Sequence, residues 1–63
     1  MPIIQIDVAK VAPEKKAELI EKMTLTAHEV LEIPVQAFTV IIREDGLDNI
    51  GSGGKQLSQI YKG

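Results

Sequence analysis

Two short β-branched runs, joined by one long helical segment, fill the first two-thirds of the chain and limit what it can become. Between Pro2 and Lys10, Ile4, Ile6 and Val8 alternate with Ile3, Gln5 and Asp7, the period of a strand. Between Ala37 and Arg43, Phe38, Val40 and Ile42 alternate with Thr39, Ile41 and Arg43. From Glu14 to about Glu32, Lys16, Ile20, Met23, Ala27, Val30 and Leu31 recur at helical spacing, and Leu19 widens the apolar side. Strand, helix and strand in that order predict a βαβ unit of the α+β class, with parallel strands and a right-handed crossover. Two parallel strands and one helix cannot close a core. The pattern therefore predicts an oligomer in which further copies complete the sheet.

Local signals mark the boundaries. Pro13 suits the first helical position, with acidic Glu14 beside it, but Ala12 offers no side-chain cap. Glu18 and Lys22 form an i, i+4 pair in the favourable order. Ile33-Pro34 ends the helix, because a residue before proline avoids helical geometry. The run Glu44-Asp-Gly-Leu-Asp-Asn-Ile-Gly-Ser-Gly-Gly54 is turn-rich and predicts a short hairpin able to reach a neighbouring subunit. Lys55 to Tyr61 reads as a short strand or a helical turn. There is no internal repeat, and residues 1–63 read as one domain.

At 63 residues, a lone chain buries only about 60% of its unfolded surface. Domains this small usually rely on disulfides, a metal or association. The chain has no cysteine and a single histidine, so disulfides, thiolate chemistry and a histidine-rich zinc site are excluded. Hydrophobic residues make up 44% of the sequence, again more than one small body needs. A net charge of −2, one Phe, one Tyr and no Trp argue against a nucleic-acid surface. No apolar run approaches the roughly 18 residues of a membrane span, and the start lacks the pattern of a signal peptide. The expectation is a cytoplasmic protein with no nucleic-acid or membrane partner.

Chemically active residues are few. Ser52 and Ser58 have no histidine partner in a known motif. Gly51-Ser-Gly-Gly54 lacks the ending of a phosphate loop and reads as backbone punctuation. The Asp45–Asn49 run lacks the bidentate glutamate of a calcium loop. His28, inside the helix, reads as a surface or interhelix contact. Pro2 remains. Removal of Met1 frees a secondary amine. An α-amine in a model peptide titrates near 7.7–8.0, a prolyl amine is intrinsically more basic, and apolar surroundings or a nearby cation lower its pKa. Such an amine is a competent general base, or a nucleophile. The plainer reading is that Pro2 begins an edge strand.

Pro2-Ile3, then Val40, Ile41, Ile42 and Glu44, then Gly51-x-Gly53-Gly54 occur around a helix of about twenty residues. In this order and spacing, over essentially the whole chain, the sequence resembles the 4-oxalocrotonate tautomerase family of the tautomerase superfamily. The resemblance implies a β-α-β protomer with a C-terminal hairpin, assembled as a homohexamer of three dimers. It also implies an isomerase without a cofactor or metal, moving protons on a small-molecule 2-hydroxy-dienoate or enol-pyruvate-type acid, with Pro2 as base and acid in turn.

The chain departs from the family pattern where substrate carboxylates are held. Members carry one arginine in the loop after strand one and another early in strand two. Here the loop reads Lys10-Val11-Ala12-Pro13, and Thr39 stands at the second position. Lys10 can supply a point charge but not the bidentate fork of a guanidinium. Arg43, the only arginine, shares a strand face with Thr39 but lies about 13 Å along it. Ile50 matches the family's hydrophobic wall residue. Lys10, Thr39, Arg43 and Ile50 are therefore the candidate substrate-binding residues. An oligomeric binding or scaffold protein of the same fold is an alternative, as is a Pro2-dependent dehalogenase or decarboxylase.

Overall fold

The computed structural model describes residues 1–61. Its first part is the βαβ unit. Strand β1 (Ile3–Val8) leads to helix α1 (Pro13–Leu31), which returns the chain to strand β2 (Thr39–Glu44). The strands pair in parallel, with Ile3 opposite Thr39, Gln5 opposite Ile41 and Asp7 opposite Arg43. The ladder extends past both ends, through Thr39 N–H to the Pro2 carbonyl (3.0 Å) and Asp45 N–H to the Val8 carbonyl (2.7 Å). Parallel pairing puts register partners on one face. Ile4, Ile6 and Val8 therefore lie beside Val40 and Ile42, half-buried under α1. Ile3, Gln5, Asp7, Thr39, Ile41 and Arg43 form the opposite face.

Pro13 opens α1 as its position predicts, and no side chain caps the helix. The helix closes one residue before the sequence expectation, on Glu32, whose φ of 57° is left-handed and whose N–H bonds to the His28 carbonyl. Leu31 is thus the last helical residue. β2 begins two residues later than expected, at Thr39 rather than Ala37. Val35–Ala37 instead form a 3₁₀ turn, closed by Ala37 N–H to the Pro34 carbonyl (3.0 Å) and Phe38 N–H to the Val35 carbonyl (3.2 Å).

The inward face of α1 also differs from the expected one. Lys16, Leu19, Met23, Thr24, Ala27 and His28 are half-buried. Ile20, Leu31 and Val30 are 41%, 52% and 74% exposed. The helical period is correct, but the face against the sheet is turned toward Leu19, Thr24 and His28. Within the protomer, His28 Nδ1 donates to the Ile33 carbonyl at 2.6 Å, tying the helix end to the following segment.

Beyond β2, a 3₁₀ turn (Leu47–Asn49), a two-residue antiparallel hairpin of β3 (Gly51–Ser52) and β4 (Lys55–Gln56), and helix α2 (Leu57–Ile60) complete the described chain. Residues 55–60 thus hold both a strand and a helical turn. The hairpin tip uses Gly53 and Gly54 at φ of 62° and 86°, a conformation that costs other residues steric strain. Hairpin and α2 pack on the 3₁₀ turn, held by Leu57 N–H to the Ile50 carbonyl (2.7 Å) and Gln56 Nε2 to the Asp48 carbonyl (2.9 Å). No helix among the described residues is long and apolar enough to cross a membrane.

Among the described residues, none is fully buried. The protomer measures 42 × 24 × 14 Å, and its radius of gyration is 15.0 Å. A compact domain of this length has a radius of about 11 Å. One layer of sheet under one helix, with an outstretched hairpin, leaves Ile3 52% and Tyr61 64% exposed.

Candidate active site

The candidate residues fall at two ends of the protomer. Pro2 stands at the start of β1, half-buried, one step before the Ile3–Thr39 pair and so opposite Phe38. A proline costs the ladder nothing here, because it lacks an N–H and its carbonyl is the group that pairs. While Met1 is attached, the Pro2 nitrogen is a tertiary amide with no basic lone pair. Met1 is 89% exposed, so the Met1–Pro2 bond lies at the surface. Thr39 is next to Pro2 through the backbone bond, and its side chain belongs to the exposed face. Pro2, Ile3, Phe38 and Thr39 give this end of the sheet no formal charge.

The charges gather at the other end. From Pro2 to Val8 the strand covers about 20 Å, and Lys10 lies beyond it, exposed, in the loop to α1. Arg43 is exposed opposite Asp7, and neither joins an ion pair among the described residues. Glu44 ends β2 under the first turns of α1. Its two carboxylate oxygens accept the Val11 N–H at 2.9 Å and the Lys16 ammonium at 2.5 Å. The Lys16 contact, followed by the Val11 amide, holds the Glu44 carboxyl below its ordinary pKa of 4.5. Ile50 lies further on, half-buried where the Leu47–Asn49 turn meets β3.

Within one protomer, Pro2 and Thr39 are together, while Lys10, Arg43 and Ile50 are not within reach of them. The sequence pattern does not predict the Glu44–Lys16–Val11 contact, because its partners belong to separate elements. One signal was available: Lys16 occupies a position of the apolar stripe, and a lysine on an inward face calls for a partner.

Two grooves border the helix. One, of about 630 Å³, lies at the C-terminal end of α1 and includes His28, Glu32, Pro34 and Val35. The other, of about 320 Å³, runs along Val11, Leu19 and Met23 between Lys15 and Lys22. Pro2 lines neither groove.

Residues 2–60 match the model of a family described as Tautomerase enzyme. No curated protein matches the chain. Among solved structures, it is similar to TomN, a 4-oxalocrotonate tautomerase homologue of the tomaymycin biosynthetic pathway, at 32% identity and a TM-score of 0.86, covering 92% of this chain and 91% of TomN. It is also similar to DmpI from Archaeoglobus fulgidus, at 32% identity and a TM-score of 0.81, covering 90% of this chain and 98% of that one. A heterohexameric 4-oxalocrotonate tautomerase from Chloroflexus aurantiacus shares the fold, with a TM-score of 0.85 over 97% of this chain and 100% of that one at 22% identity.

Proposed function

The chain belongs to the tautomerase family, and from that premise we propose that it is an isomerase that uses Pro2 for keto–enol proton transfer on a 2-hydroxy-dienoate or enol-pyruvate-type acid. The observation that carries this proposal is Pro2 itself, at the head of β1 in a full-length match to the family. With Met1 removed, the neutral prolyl nitrogen takes the proton of the enol hydroxyl. The enolate electrons shift toward the carbon chain as the carbonyl forms. The prolinium then returns the proton to carbon, so atoms and charge balance without a cofactor.

The working unit in this proposal is a homo-oligomer, a hexamer of three dimers. The lone protomer supports it by fully burying none of its described residues and by separating Pro2 from Lys10 and Ile50. A neighbouring copy supplies the Lys10 ammonium for the substrate carboxylate and Ile50 as an apolar wall. Thr39 contributes a hydroxyl where the family carries an arginine, and Arg43 serves at the exposed sheet face. Loss of a guanidinium fork predicts weak turnover of dicarboxylates, because stabilising charge as it develops is a large catalytic contribution.

The test is ketonisation of phenylenolpyruvate and 2-hydroxymuconate by wild type and Pro2→Ala, with intact mass confirming Met1 removal. A loss of about 10²-fold in Pro2→Ala is expected for removal of a general base. Equal rates refute the assignment. Thr39 in place of an arginine favours a second reading, a non-catalytic oligomeric binding protein. Retention of Met1 in the cellular protein would select it.

A further inference from the structure

Glu44 does more than end a strand. Its carboxylate joins three parts of the fold: β2, the β1–α1 loop through the Val11 amide, and α1 through Lys16. These partners lie 33 and 28 residues away in sequence. Lys10 directly precedes Val11, is exposed, and forms no ion pair among the described residues. It is close enough to Glu44 for its charge to favour the carboxylate, although less than Lys16 does. Lys16 holds the carboxylate, and Lys10 makes no contact with it. With Glu44 occupied and the neighbouring amide pinned, Lys10 keeps an unneutralised ammonium on a fixed segment of backbone.

We propose that Glu44 and Lys16 are positioning residues, which fix the β1–α1 loop and leave the Lys10 ammonium free for a substrate carboxylate. The proposal rests on the tautomerase activity proposed above. Removing the Lys16 charge lets Glu44 turn to Lys10 and neutralise it. Removing Glu44 frees the loop that carries Lys10. Either change weakens recognition of the carboxylate and leaves proton transfer at Pro2 intact.

The test compares phenylenolpyruvate with its methyl ester, which keeps the enol and lacks the carboxylate. Lys16→Met and Glu44→Ala should each raise KM for the acid about five-fold, the upper range for a partly exposed ion pair. Expected kcat for the acid stays within about twofold and the ester's kinetics do not change, the signature of lost ground-state binding. In a Lys10→Met background, Lys16→Met should add nothing, because contacts that act through one group are not additive. Equal shifts for acid and ester, or additive effects with Lys10→Met, mean that the contact only stabilises the fold, and they overturn the proposal. If wild type is inactive or Pro2→Ala matches it, the tautomerase assignment fails. Calorimetric binding of cinnamate against cinnamamide then decides the positioning role separately. Selective, Lys10-dependent cinnamate binding that weakens about five-fold in Lys16→Met supports it, and binding indifferent to Lys10 or Lys16 refutes it.

Discussion

Dilution should melt this protein. No described residue is fully buried, and the radius of gyration is 15.0 Å against the roughly 11 Å of a compact chain of this length. In the proposed oligomer the fold is held by contacts between copies, and its stability follows mass action. Unfolding 63 residues carries an entropy of about 130 cal/mol/K near 60 °C. A tenfold dilution costs about 1.4 kcal/mol for a dimer separating into two unfolded chains, or about 0.7 kcal/mol per protomer. Divided by that entropy, the midpoint falls by about 5 °C per decade of concentration. For a hexamer, where five association steps are shared by six chains, the shift is about 9 °C per decade. Thermal melts followed by circular dichroism at 222 nm, from about 1 to 100 μM protein, read this shift directly; light scattering gives the assembly at each concentration. A midpoint constant within 1 °C over that range, with the α1 signal intact in a monomer, would refute the reasoning.

Acid should weaken the β1–α1 loop. The folded pKa of Glu44 is depressed, so its contribution is fully present above the ordinary value of 4.5 and is lost as pH falls through the lower folded value. Melting midpoints of Glu44→Gln should therefore show a flatter acid limb than wild type, and parallel limbs would remove Glu44 from the explanation. At the end of α1, Glu32→Gly should raise stability by about 0.5 kcal/mol, because it relieves a left-handed penalty of about 1–2 kcal/mol and gives part back as unfolded-chain entropy. Chemical denaturation at fixed protein concentration measures it. If sites are shared between copies, an equal mixture of Pro2→Ala and Lys10→Met chains, refolded together and assayed well below KM, pairs an intact Pro2 with an intact Lys10 at about a quarter of its sites. Activity should then reach about a quarter of wild type, while unshared sites give only the average of the two parents.

The alternating residues of β1 and β2 and the long period of α1 were legible because each is a local pattern, repeated several times. Pro13, Ile33-Pro34 and the paired glycines marked element boundaries for the same reason. The inward face of α1 was not, since an apolar stripe as broad as Leu19, Ile20, Met23, Ala27, Val30 and Leu31 fixes a period without saying which edge meets the sheet. In the protomer Val30 stays 74% exposed while Thr24 and His28 turn inward. The sequence names candidate residues singly and says nothing of their arrangement. Pro2 and Thr39 meet through strand register, which alternation alone leaves open. Lys10 and Ile50 lie past the opposite end of the sheet, and only the folded chain reveals that separation. The Glu44–Lys16–Val11 contact spans 28 and 33 residues, beyond any local period.

The separation of Pro2 from Lys10 links assembly to basicity. A prolyl amine exposed to solvent is mostly protonated at neutral pH, which leaves little free base. Apolar cover disfavours the charged amine. Within one protomer Pro2 is only half-buried, at an end of the sheet without a formal charge, and the free lysine lies past the opposite end, more than about 20 Å away. In the proposed hexamer, a neighbour docked with its Lys10 end against this Pro2 supplies the cover together with the partner for the substrate's carboxylate. On the proposed activity, dissociation then removes more than the substrate's carboxylate partner: it removes the cover that favours the neutral base. Activity per chain should therefore fall with dilution along the same curve as assembly. Raising the pH should restore part of the loss by deprotonating Pro2, but not the part of KM that depends on Lys10.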